Sequence, residues 1–122
     1  MTGSDRIRLH GMRARGRHGW FDWEQEQGQE FVVDVELAVD TAPAARSDDL
    51  ADTVDYGGLA SAVVAIVEGE PVRLVETLAQ RIADECLRDE RVGAVSVTVH
   101  KPQAPVEVEL TDVAVTVTRS RA

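Results

Sequence analysis

The side-chain rhythm of this chain changes period twice, and that change restricts the folds open to it. Over residues 31–40, Val33, Val35, Leu37 and Val39 fall on one face, and Val32, Asp34, Glu36 and Ala38 on the other. A repeat of two marks a half-buried β-strand. Residues 5–15 open the same way, with Ile7 and Leu9 set against Arg6, Arg8 and His10. Near the end, Val95, Val97 and Val99 and then Val113, Val115 and Val117 repeat the pattern. Between these blocks the apolar positions recur every three or four residues. Leu59, Val63, Ile66 and Val67 do so over 56–68, and Leu78, Ile82 and Cys86 over 74–89. That spacing predicts two helices, the first capped by Thr53 or Asp55 and the two separated by Gly69 and Pro71. Residues 15–30, with Gly16, Gly19 and Gly28, read as a loop; Pro43 ends the second strand. Pro102 and Pro105 interrupt the connection between the last two strands.

The order is strand, strand, helix, helix, strand, strand, an α+β chain with a four-stranded antiparallel sheet and two helices on one face. A length of 122 residues suits one domain spanning 1–122 with one modest core. Two helices leave the far face and both sheet edges uncovered, and unpaired edges invite pairing with another chain. Closing several copies into a shared barrel removes the edges, so a homo-oligomer is expected.

Charge narrows the partners. Thirteen Lys and Arg against 22 Asp and Glu leave a net charge of -9, which repels phosphate backbones and anionic bilayers. Neither nucleic acid nor membrane is an expected partner: no apolar run reaches the roughly 20 residues of a membrane span, and residues 1–8 lack a secretory signal. The single cysteine, Cys86, lies on the apolar stripe of the second helix and reads as a reduced core residue of a cytoplasmic protein. The basic residues are 12 Arg and one Lys, Lys101; the one tyrosine is Tyr56. Arginine keeps its proton at any working pH, whereas an amine can exchange one, so a lone lysine is a candidate for amine chemistry.

Four segments carry a family resemblance. They are His18-Gly19 with Glu24 and Gly28-Gln29 ahead of Phe31-Val32-Val33-Asp34-Val35; Ser47-Asp48-Asp49-Leu50 leading to Asp52-Thr53-Val54-Asp55-Tyr56; Leu74-Val75-Glu76-Thr77-Leu78-Ala79; and Val99-His100-Lys101-Pro102 with Ala104-Pro105. In this order and spacing the chain resembles the dihydroneopterin aldolases over essentially its whole length. The resemblance implies the tunnelling fold (T-fold), with subunits joined into a barrel as two stacked tetrameric rings and sites between neighbouring subunits. It implies retro-aldol cleavage of 7,8-dihydroneopterin, a small pterin, to 6-hydroxymethyl-7,8-dihydropterin and glycolaldehyde in tetrahydrofolate biosynthesis.

The substrate's own C=N bond can absorb the electrons of the broken C1'–C2' bond, so neither a lysine Schiff base nor a metal is required, and no cofactor is expected. On this resemblance Lys101 and Tyr56 move protons, the latter from the adjacent subunit, and Glu24 orients the substrate tail or the lysine. Glu76 accepts two hydrogen bonds from the pterin's 2-aminopyrimidinone edge at a helix N-terminus. Val54 and Asp55, with Leu74 and Val75 from the other subunit, line the ring slot. His10, His18 and His100 lack the close spacing of a metal motif, and His18 reads as structural. His100 should face away from Lys101. Trp20, Phe21 and Trp23 could cover the pterin or pack at a subunit seam. The segment Val106-Glu107-Val108-Glu109-Leu110 departs from the family pattern beside Lys101.

Two other readings stand beside this one. An epimerase acting at C2' of dihydroneopterin or its triphosphate would share fold and intermediate, with Arg13, Arg15 and Arg17 available to a triphosphate. A non-catalytic assembly domain would have no reason to place its only lysine and only tyrosine at the matched positions.

Overall fold

Each alternating block becomes a strand in the computed structural model, which describes residues 5–121. The strands are β1 (Asp5–Gly16), β2 (Gln29–Val39), β3 (Ala94–Lys101) and β4 (Val113–Ser120). They form one sheet in the order β1-β2-β3-β4, every neighbour antiparallel. Four helices accompany them: α1 (Asp22–Gln27), α2 (Ala42–Ser47), α3 (Tyr56–Glu68) and α4 (Val75–Cys86). A 3-10 turn covers Leu50–Asp52. The ββααββ order therefore stands, with α1 and α2 as short additions.

The additions have local causes. Residues 15–30 are not one loop: β1 runs on to Gly16, β2 begins at Gln29, and α1 fills the gap. Glu24 closes the first turn of α1 by accepting the Phe21 N–H at 3.3 Å. Gly28, at φ 72°, ends the helix while its N–H reaches Glu24 O at 2.9 Å. Pro43 follows β2 as expected, yet it stands in the first turn of α2, where a missing N–H costs nothing. Helix α4 stops at Cys86 rather than at 89. Arg121 donates to the carbonyls of Leu87, Asp89 and Val92, holding the chain in a turn beyond the helix.

The core lies between the sheet and α3 and α4. Along β2, Phe31, Val33, Val35, Leu37 and Val39 are buried and the residues between them are not. Leu78, Ala79, Ile82, Ala83 and Cys86 cover them from α4, and Val63 and Val67 from α3, with Leu59 and Ile66 only partly buried. Burying side chains of this size contributes about 1.5–3 kcal/mol each. The Cys86 thiol is pushed up to about 12, chiefly by burial, as a core cysteine should be.

One parity change was not legible beforehand. Leu9 pairs with Val35 and Met12 with Val33, so His10 and Gly11 together oppose Asp34 in a bulge. Gly11 takes φ 71°, and its N–H donates to Asp34 Oδ1 at 2.7 Å.

The face opposite the helices is polar and paired. Arg6 and Arg8 flank Glu36 at 3.2 and 3.3 Å, and the Thr98 and Thr116 hydroxyls meet at 2.8 Å. Toward the end of the sheet that carries Lys101, His100 Nε2 lies 2.8 Å from Asp34 Oδ2, and Nδ1 lies 2.7 Å from Asp112 Oδ2. Only an imidazolium donates from both nitrogens. The Asp34 hydrogen bond holds the His100 pKa above its ordinary value despite burial, with Asp112 adding to it. Burial alone would raise Asp34, but the Gly11 N–H and His100 together keep it below its ordinary range.

Linkage fixes the pH window. His100 contributes its full stability below about pH 6.5 and loses it as pH rises through the raised folded-state value; Asp34 contributes above about pH 4 and loses it as pH falls through the lowered one. Urea midpoints at fixed protein concentration should therefore separate wild type from His100→Ala most between these limits. The gap should narrow as pH rises through the raised folded-state value, where the imidazolium is lost from both states.

Candidate active site

Polar side chains at inward-facing strand positions mark the site. Lys101 ends β3 in step with Val95, Val97 and Val99, so its side chain lies on the helix-covered face and His100 lies on the other. It is only 8% exposed. Its Nζ meets Glu24 Oε2 at 2.6 Å. Glu24 is 1% exposed, anchored by α1 rather than carried on an open loop as the sequence suggested. Gln29 Nε2 donates to Glu24 Oε2 at 3.0 Å, and the Phe21 N–H donates to Oε1. Burial alone would raise the Glu24 pKa, but hydrogen bonds from Lys101, Gln29 and Phe21 outweigh it and hold the carboxylate below its usual range.

A second layer holds α1 in place. His18 is buried; the Val72 N–H donates to Nδ1 at 3.1 Å, so Nε2 carries the proton and donates to Val67 O at 2.6 Å. Burial pushes its pKa down, consistent with a neutral ring locked between two backbone groups. Gly19 N–H donates to Val72 O at 2.9 Å, and Arg73 donates to Trp20 O at 2.8 Å while lying over the Trp20 ring. These contacts tie residues 18–20 to residues 67–73, just before α4. Phe21 and Trp23 stack with centroids 6.3 Å apart, yet Trp20, Phe21 and Trp23 are all about half exposed.

The expected site residues fall into two groups. Helix α4 ends near the start of β3, so its first turn lies at the sheet end that carries Lys101. Leu74 caps that helix, Val75 and Glu76 open it, and Glu76 is exposed. Lys101, Glu24, Leu74, Val75 and Glu76 thus share one end. Val54, Asp55 and Tyr56 do not. They begin α3, whose last turn is the one bonded to His18, so they stand a 13-residue helix away, roughly 20 Å at 1.5 Å per residue. There Val54 and Asp55 edge a groove with Glu85 and Cys86 from the far end of α4 and Arg88 just beyond it. Val54 is buried, the Asp55 carboxylate caps α3 through the Gly58 N–H, and Tyr56 is 55% exposed. A single chain does not bring its lysine and its tyrosine together.

Gln29 is the residue whose part the sequence reading missed. Its signal was present: it sits two residues before Phe31, so strand parity turns a polar amide inward. Two of the arginines offered to a triphosphate are already engaged. Arg13 pairs with Glu30 at 2.8 Å, and Arg15 donates to the carbonyls of Gln27 and Gly28.

The buried pair makes a stability prediction. Glu24→Leu alone leaves the Lys101 charge uncompensated and should cost about 3–5 kcal/mol, while the double variant Glu24→Leu with Lys101→Met should recover most of that loss. Chemical denaturation of the four proteins in the cycle measures it. Gly19→Ala tests the same packing, since its Cβ would fall 2.5 Å from the Glu24 carboxylate carbon; a loss of about 1–3 kcal/mol is expected.

Comparison with known proteins identifies the family. The family model for dihydroneopterin aldolase (FolB) matches residues 7–118. The dihydroneopterin aldolase of Streptomyces coelicolor is 60% identical over 117 residues, covering 96% of this chain and 98% of its own. That of Bacillus subtilis is 40% identical over 119 residues, covering 97% and 99%. Among solved structures, E. coli dihydroneopterin aldolase in complex with neopterin superposes with a TM-score of 0.87 at 34% identity, covering 95% of this chain and 99% of its own. A Burkholderia dihydroneopterin aldolase bound to guanine gives 0.78 at 28% identity, covering 97% and 92%. Agreement in sequence and in fold along nearly the full chain makes this protein a member of the dihydroneopterin aldolase family.

Proposed function

We propose that this chain is a lyase that splits 7,8-dihydroneopterin into 6-hydroxymethyl-7,8-dihydropterin and glycolaldehyde, a step toward tetrahydrofolate. The observation that carries the reading is the buried pair of Lys101 and Glu24 at 2.6 Å, an amine and a carboxylate kept from water on an otherwise apolar face. Neopterin in the E. coli relative and guanine in the Burkholderia relative share the 2-amino-4-oxopyrimidine edge that Glu76 would grip. An exposed carboxylate in the first turn of α4, with no partner among the described residues, can offer both oxygens to that edge, and the helix dipole favours its charge.

The chemistry needs no metal and no imine. As the C1'–C2' bond breaks, its electrons enter the pterin's C=N and the C2' hydroxyl gives up a proton. Lys101, held beside Glu24, exchanges protons with N5 or with a water next to it. The Tyr56 hydroxyl, through water, returns a proton to C1' and completes the hydroxymethyl group. Leu74 and Val75 from one subunit, and Val54 and Asp55 from the next, line the ring slot.

The length of α3, roughly 20 Å, that sets Tyr56 apart from the end of the chain carrying Lys101 supports a site built by two copies, and the open edges of β1 and β4 give those copies a way to join. Four copies closing a barrel with the polar sheet face inward, stacked as an octamer, fit this arrangement. The chain would act as one domain in the cytoplasm; no helix of the described residues is long and apolar enough to cross a membrane.

Anaerobic incubation with 7,8-dihydroneopterin and a chelator should release glycolaldehyde, and borohydride should trap no imine on Lys101. Lys101→Ala should lower kcat by about 100-fold or more with little change in KM. Glu76→Ala should weaken pterin binding by about 10- to 100-fold. Tyr56→Phe should slow protonation of the intermediate and let oxidised by-products accumulate. Full turnover in Lys101→Ala, or an essential bound zinc, would refute the reading.

A further inference from the structure

Gln29 opens β2 and is 5% exposed. Its Nε2 donates to the same Glu24 oxygen that Lys101 meets. An ionised carboxylate can only accept, so the NH2 must face Glu24 and the amide's orientation is decided. That leaves Oε1 as a buried side-chain acceptor with no hydrogen-bond partner among the described residues. Buried acceptors are almost always satisfied, and one left open beside a site is unfavourable until a donor arrives.

The proposed reaction brings such a donor. Of the substrate's two parts, the ring presents its N–H groups to Glu76, whereas the tail presents O–H groups next to the bond that Lys101 and Glu24 attend. We infer that Gln29 Oε1 accepts a hydrogen bond from a hydroxyl of the substrate's polyol tail, making Gln29 the residue that tells a hydroxylated tail from a bare ring. The inference rests on the pterin reading of the site and adds a specificity element to it. One amide then performs two tasks: its nitrogen fixes the carboxylate, and its oxygen fixes the tail relative to that carboxylate and the amine.

The test compares two unreactive oxidised ligands, neopterin and tail-less 6-methylpterin, by calorimetric titration of wild type and Gln29→Met. Methionine keeps the shape and removes both amide groups. Neopterin should bind the variant about tenfold more weakly, with 6-methylpterin changed by less than about twofold. Equal weakening of both ligands would make Gln29 structural only and overturn the inference, as would no weakening of either. Wild type that binds neither ligand would remove the pterin reading as well, so the two failures are separable. Should Gln29→Met not fold, the wild type answers alone. The 13C resonance of the Gln29 carboxamide should move when neopterin binds and stay in place with 6-methylpterin, and identical responses to the two would refute the assignment.

Discussion

A charge pair sealed inside an apolar face is the constraint around which this molecule is arranged. Removing Lys101 and Glu24 from water costs several kcal/mol per ion unless each finds close partners. Much of the local structure supplies or defends those partners. Helix α1 exists because Glu24 folds back on the Phe21 N–H, and Gly19 has no side chain because the Glu24 carboxylate occupies that space. Gln29 adds a third donor. His18 then fastens this assembly to the connection between the two long helices, from Val67 to Val72. A polar cluster that is nearly satisfied is rigid, and rigidity is what the pair would need for its proposed proton transfers to keep one geometry in every turnover.

Most of the frame was legible because it depends on period alone. Alternation located the four strands, and the change to a repeat of three or four located α3 and α4. The same parity makes Lys101 and Gln29 conspicuous, as polar residues at positions that otherwise carry valine or phenylalanine. Other features were not legible for equally physical reasons. Helix α1 is six residues long, too short to show a period, and Phe21 is an unusual residue to precede a helix. The bulge at Gly11 shifts parity within β1, which no count of alternation from Ile7 and Leu9 could reveal. Val106, Val108 and Leu110 alternate as a strand would, yet residues 102–112 pair with no strand and those three side chains stay exposed. A pattern without a partner does not make a sheet.

The division of the proposed site residues between two ends of the molecule follows from antiparallel helices over an antiparallel sheet. Sequence distance gives no hint of it: Tyr56 and Glu76 are 20 positions apart, and each opens a helix. Because α3 and α4 run in opposite directions, those two starts face opposite ends. A fold of this kind cannot assemble both sets by itself. Turning one copy so that its α3 start meets the α4 start of another is a simple way to reunite them, and it leaves the core of each subunit untouched. On the proposed function association and chemistry would be linked, since a lone subunit would hold an amine without its phenol.

The kink at His10 and Gly11 has a consequence for how such copies find each other. A straight rim of unpaired amides accepts any extended peptide that drifts against it, including stray segments of unfolded chains. A rim bent by one surplus residue, with an amide already turned inward to Asp34, matches only a surface of the same curvature. In the proposed assembly the outer strand would thereby be selective about its company: it would discourage runaway fibrils while still admitting a neighbour that continues the arc.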